Sequence, residues 1–279
     1  LIPSLLETNP ELTGYRLFIE EELDAQQHQM SADLEELAAD LNRAGGDAWS
    51  RLQSTIASTL TVRWDETTGE TKTATELRAL YFSPERSLRK KAWKLELEAW
   101  KGVETPLSFA LNGVKGFSHT LNSRRSYPST LERSLKQSRI TAAALEALTG
   151  AMEESLPLFQ SYLKRKARLL GLEQLAFYDI FAPLSRQETG SETGPKKKVW
   201  SFPEAKEFIL RHFSTFSSEL AAFATRAFDE GWIDSEPRAG KVGGAYCISF
   251  PEAGESRVLS NFSGSSRDVG TLAHELGHA

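Results

Sequence analysis

Three side chains close together in the sequence could do chemistry as a group: His274, Glu275 and His278, within the run TLAHELGHA at 271–279. Their spacing is H-E-x-x-H. On a helix the two histidines lie about one turn apart on a single face. Both imidazoles can then reach one zinc ion at about 2.0–2.1 Å. Zinc lowers the pKa of a bound water to about 7, and a carboxylate beside that water can take its proton as it attacks a carbonyl. His274 and His278 are therefore candidate metal ligands, and Glu275 is the candidate general base. Three fixed residues at set spacing arise by chance in roughly one chain in a hundred of this size. That weighs against a surface helix with two incidental histidines. A catalytic zinc usually takes three protein ligands, and no acidic residue in the chain is marked by spacing as the third.

The helix that must hold these residues has a marked start. Ser265-x-x-Asp268 is a capping-box signal with Asp in place of the commoner Glu or Gln. At about 100° per residue, Val269, Leu272, Ala273 and Leu276 form one apolar stripe that should face a core. His274 and His278 fall on the opposite face with Thr271, and Glu275 lies beside that face, off its centre. Before the helix, AYCISF at 245–250 and RVLSNF at 257–262 are β-rich runs separated by PEAGES, which reads as a hairpin. Cys247, the single cysteine, belongs to the packing of that hairpin, with no histidine near it in sequence to make it a nucleophile.

Most of the remaining chain reads as helix: from Tyr15 to about Ala44, from 85 to 102, from about 104 to 122, from 141 to 171 with a bend before Pro157, and from Pro203 to about Glu230. A short hairpin is expected over 61–75. The KRKAR run at 164–168 reads as a solvated face, and the stretch 185–200 as an exposed loop with Lys196–Lys198 as its solubilising charges. His28, His119 and His212 stand singly on helices and read as structural or solvated. The 279 residues suffice for one large domain or two smaller ones. A formal charge of −5 argues against a nucleic-acid partner. No run approaches the roughly 18 apolar residues of a membrane span. A single cysteine fits a reducing cytosol, so the expected location is cytoplasmic.

SGSSRDVGTLAHELGHA at 263–279 resembles the active-site helix of oligoendopeptidase F and its relatives, the thimet-oligopeptidase-like zinc peptidases. DEGWIDSEPRAGKVGGAYC at 229–247 resembles the family loop in which G-K-x-G-G-A-Y-C precedes the hairpin, and LAFYDIFAP at 175–183 and RRSYPSTLE at 124–132 also fit. The resemblance implies a mainly α, bowl-like enzyme with a deep channel and a small β-hairpin before the zinc helix. Such a channel admits short unstructured peptides. It also implies that RVLSNF lies along the substrate and pairs with it as an added strand. Gly243, Gly244, Ala245 and Tyr246 would then sit close to the peptide, although a plain turn also explains the two glycines. Asn261 and Phe262 stand between substrate contact and hairpin packing.

In relatives a glutamate from a later helix is the third zinc ligand. The resemblance therefore implies a fragment: residues 1–100 as an N-terminal helical region incomplete at its start, residues 101–279 as the first part of a catalytic domain, and the third ligand beyond residue 279. The expected activity is a zinc metalloendopeptidase with one Zn2+ ion, acting on short peptides, with neither nucleic acid nor membrane as partner. A zinc exopeptidase of similar fold is the first alternative. The second is that 1–279 by itself is an inactive peptide-binding piece whose site another segment completes.

Overall fold

The computed structural model describes residues 8–184, 199–238 and 240–279. The loop expected over 185–200 lies outside them except for Val199 and Trp200. The chain forms two compact units, Leu1–Gln53 with Thr105–Phe159, and Ser54–Glu104 with Gln160–Ala279. The fold is mainly α with two small sheets, as expected from the sequence.

The first unit contains α1 (Arg16–Gln26), α2 (Ala32–Ala44) and the start of α3 (Gly46–Thr59), with α6 (Glu104–Arg124), α7 (Thr130–Gln137) and the first part of α8 (Ala142–Leu169). The single helix expected over 15–44 is interrupted at 27–31. Glu35 fixes the break: its carboxylate accepts from the Met30 N–H at 3.0 Å and from Arg125 at 3.0 and 2.5 Å. The helix through Pro157 is continuous. Leu34, Leu37 and Leu41 keep helical spacing but line an open apolar groove of about 650 Å³ with Trp49 and Phe117.

In the second unit, β1 (Thr61–Arg63) and β2 (Thr71–Thr73) pair antiparallel, as the hairpin signal predicts. They lead into α4 (Ala74–Ala79) and α5 (Arg86–Gly102). The helix expected from Pro203 to Glu230 is two helices, α9 (Phe202–Phe216) and α10 (Ser218–Asp229). Ser217 separates them, because its extended backbone lets its hydroxyl accept from Leu220 N and cap the second helix. A three-stranded sheet follows: β3 (Ile233–Asp234), β4 (Tyr246–Phe250) and β5 (Glu255–Leu259), in the order β3-β5-β4. The final helix is α11 (Ser266–His278). The core of this unit gathers Ala205, Ile209, Ala224, Ala227, Trp232, Val258, Val269, Leu272 and Leu276.

One charge expected in water turns inward. Within KRKAR, Lys166 is buried and donates to Ile180 O at 2.6 Å. Burial, and then the charge of Arg89, lowers its pKa.

Gly264, just before α11, shows why the loop there needs glycine. Its φ is +88°, and a Cβ would stand 2.8 Å from the Trp200 carbonyl oxygen. Trp200 N donates back to Gly264 O at 2.9 Å, so neither backbone can retreat without losing that bond. Gly264→Ala is expected to cost about 1–3 kcal/mol, from an unfavourable φ and a backbone clash. Thermal denaturation measures it, and an unchanged midpoint would show that the loop yields freely.

Candidate metal and peptide site

Helix α11 starts where the capping signal places it. Ser265 Oγ accepts from Asp268 N at 3.1 Å. The Asp268 carboxylate accepts from Ser265 N at 3.0 Å, and from Ser263 N and Oγ at 2.9 and 2.7 Å. A carboxylate in the first turn also complements the helix dipole. Val269, Leu272 and Leu276 are buried, with Ala273 packed against the same core, so the stripe read from the sequence is the face that anchors the helix.

With that face fixed, His274 and His278 project outward on the exposed side. Their Nε2 atoms lie 3.0 Å apart and their rings are perpendicular at 89°. At this distance one imidazole donates and the other accepts. Two nitrogens bound to one tetrahedral zinc at about 2.0–2.1 Å would be about 3.4 Å apart. A small opening of the pair therefore fits a shared ion. Among the described residues no group of three or more His, Cys, Asp or Glu could hold a metal, so these two imidazoles are donors without a third. His28 is stacked on Tyr127, and His212 packs against Phe208.

Glu275 departs from the simple wheel. It is the most buried of the three, at 8% exposure, and it faces the hairpin. Burial raises the pKa of the Cys247 thiol, a hydrogen bond with Ser256 works against that, and the Glu275 charge adds to the rise. Cys247 is thus a packing residue with little thiolate character.

The substrate candidates divide by environment. Gly243 and Gly244 are exposed, as is Tyr246 at 42%, while Ala245 is half-buried. Each glycine also has a backbone reason. A Cβ on Gly243 would meet Thr75 Oγ1 at 2.7 Å, and Gly244 has φ +87°. Asn261 holds the turn from behind: its Nδ2 donates to Val242 O at 3.0 Å and to Gly244 O at 2.9 Å. Phe262 packs edge-on against Phe202 at 5.6 Å and joins the core.

The expected role of RVLSNF needs correction. Its strand, β5, is the middle one, paired antiparallel to β4 and parallel to β3. Beyond β5, Ser260 N and Phe262 N continue donating to Asp234 O and Ser235 O. At Val258 and Leu259 both sides of the strand are therefore taken. Among the described residues β4 is an outer strand of the sheet, as is two-residue β3, and along β4 Tyr246, Ile248 and Phe250 form an exposed row on one face. Two-residue β3 is too short to show alternation in sequence, so the middle position of β5 is not legible there. The burial of Lys241, within the G-K-x-G-G-A-Y-C pattern, does not show in the sequence either, because a lysine in a glycine-rich loop ordinarily signals only solvent.

This arrangement has counterparts. The family model for peptidase family M3 matches residues 79–279, and that for oligopeptidase F matches residues 1–61. Group B oligopeptidase PepB of Streptococcus agalactiae is 26% identical over 281 residues, covering 99% of this chain and 45% of that protein. An oligoendopeptidase F homolog of Lactococcus lactis is 29% identical over 205 residues, covering 72% of this chain and 32% of that one. A structure of Pz peptidase A with an inhibitor shares the fold with a TM-score of 0.76 at 21% identity, over 92% of this chain and 44% of its own. The chain thus spans between about a third and a half of the length of these relatives. Because the first model takes in both the hairpin and the helix that carries His274, Glu275 and His278, the chain belongs to peptidase family M3, in its oligoendopeptidase F group.

Proposed function

We propose that the chain carries part of the active site of a zinc metalloendopeptidase acting on short, unstructured oligopeptides. The observation that supports this best is the convergence of His274 and His278 Nε2 at 3.0 Å on an exposed face, next to the buried carboxyl of Glu275. His274 and His278 would hold the metal, with a third ligand supplied from outside residues 1–279. A bound zinc would supply Lewis-acid polarisation of the scissile carbonyl and a water of pKa about 7. Glu275 takes the proton from the attacking water and passes it to the leaving amine. The outer edge of β4 offers backbone donors and acceptors to an extended peptide. Gly243 and Gly244 expose backbone at its start. In this reading residues 101–279 open the catalytic region and residues 1–100 precede it.

Metal removal tests the proposal. The complete protein, dialysed against a chelator, should lose hydrolysis of an end-blocked, internally quenched oligopeptide and recover it with one equivalent of zinc. Hydrolysis that survives chelation would sink the metal role, and cleavage only of peptides with free ends would favour an exopeptidase. Residues 1–279 alone should bind zinc weakly and turn nothing over, since two imidazoles make a poor site. Stoichiometric zinc after the same dialysis would contradict that.

A further inference from the structure

The turn that enters β4 is held by a buried ammonium. The Lys241 side chain is 1% exposed. Its Nζ donates to Ser260 O at 2.7 Å, to Glu236 O at 2.9 Å, and to Asp234 O and Oδ1 at 3.0 Å each. An ammonium has three protons, so its capacity is fully used. Arg238 grips the same Asp234 carboxylate with two bonds of 2.7 Å. Hydrogen bonds from Arg238 and then from Lys241 hold that carboxyl well below the usual carboxylate range.

These contacts join two separate stretches of backbone, 234–236 and 260, through one atom. An apolar side chain in the same place would take this donor from the carbonyl of buried Ser260, at a real cost. The geometry has a direction as well. Ser260 receives Lys241 at the start of the turn, and its neighbour Asn261 binds the Val242 and Gly244 carbonyls further along. Ser260 and Asn261, just past β5, therefore hold residues 241–244 at two points. The chain then passes directly into Ala245, Tyr246 and Cys247, whose strand lies over Glu275.

We propose that Lys241 is a positioning residue: with Asn261 it sets where the Gly243–Tyr246 segment stands relative to α11, and so governs peptide affinity rather than turnover. Its effect on a peptide rests on that segment facing substrate, as proposed above. Lys241 is too enclosed to reach a reacting atom, so its influence passes through the turn.

The test is Lys241→Met in the complete, zinc-loaded protein, read by hydrogen–deuterium exchange and by kinetics on an end-blocked quenched oligopeptide. Exchange should accelerate in 241–247 while α11 stays protected. KM should rise about tenfold, equivalent to about 1.4 kcal/mol, with kcat and zinc content little changed. Asn261→Ala, at a less enclosed position, should act in the same sense. The double variant should do less than the product of the two, because both release one turn. Unchanged exchange, a loss confined to kcat, or independent multiplicative effects would each overturn the proposal. Should Lys241→Met fail to fold, Asn261→Ala decides through the same two readouts. A wild-type protein that cleaves no peptide would defeat the functional reading instead, and exchange would still show whether the ammonium holds the turn.

Discussion

Glu275→Gln in the complete protein is expected to lower kcat for peptide hydrolysis by about 10²–10⁴-fold, the range that a positioned general base contributes. Zinc content and KM should change little. Glutamine matches the shape of glutamate and fits the same enclosed position, where Glu275 is 8% exposed. What it lacks is a basic oxygen to take the proton of the attacking water and return it to the leaving amine. The fold should tolerate the change, because replacing a buried carboxylate by a neutral amide removes a desolvation penalty. A loss of activity with an unaltered melting curve would thus be a chemical loss. Near-normal hydrolysis would remove Glu275 from the mechanism. A parallel loss of zinc would mean that it acts on the metal site rather than on water.

Asp179→Ala should have the largest effect on stability, about 3–5 kcal/mol, as expected when one member of a buried ion pair is removed. Asp179 is fully enclosed, at 0% exposure. It accepts from Arg89 Nη2 at 2.8 Å, from Arg86 Nη2 at 2.9 Å and from Ala176 N at 3.0 Å. Arg86 is 45% exposed, so its share is small. Arg89 decides the outcome. It is buried, and its remaining bonds to Ser83, Pro84 and Tyr178 carbonyls cannot neutralise it. For a chain of this size the loss corresponds to a fall in Tm of roughly 10 °C.

The pH dependence has a definite sign. Burial by itself would raise the Asp179 pKa, but the hydrogen bonds from Arg86, Arg89 and Ala176 together outweigh it and lower the pKa. A group with a depressed folded pKa stabilises fully above its unfolded value of about 3.9. It loses that contribution as pH falls through the folded value. The variant should therefore show a flatter stability profile in acid than the wild type. Equal midpoints near neutral pH would mean that Arg89 finds another anion.

The features visible in the sequence are those fixed by neighbours a few residues apart. The stripe of Val269, Leu272 and Leu276 shows in the helical period, and the Ser265–Asp268 cap in a four-residue window. LAFYDIFAP is visible as a family pattern, but the purpose of its aspartate is not. The partner of Asp179 lies ninety residues earlier, at Arg89. The same limit hid Lys241, whose acceptor at Ser260 is nineteen residues away across the sheet. The breaks at 27–31 and at Ser217 are hidden in the sequence for a different reason. Apolar periodicity continues across each break, while one side chain, Glu35 or Ser217, takes over a backbone N–H and ends the regular ladder.

The pairing of β4 with β5 places Cys247 opposite Val258 and Ile248 opposite Arg257, with the turn closing at Gly254, φ +61°. Side chains alternate strictly across a sheet, so a slip of one residue exchanges the two faces. An insertion of one residue at 251–254, if taken up by sliding β4, would carry Ile248 onto the buried face above Glu275 and turn Cys247 out to solvent. This short connection should therefore tolerate changes of length only in steps of two. Its residue count is under a constraint set by the helix that β4 covers.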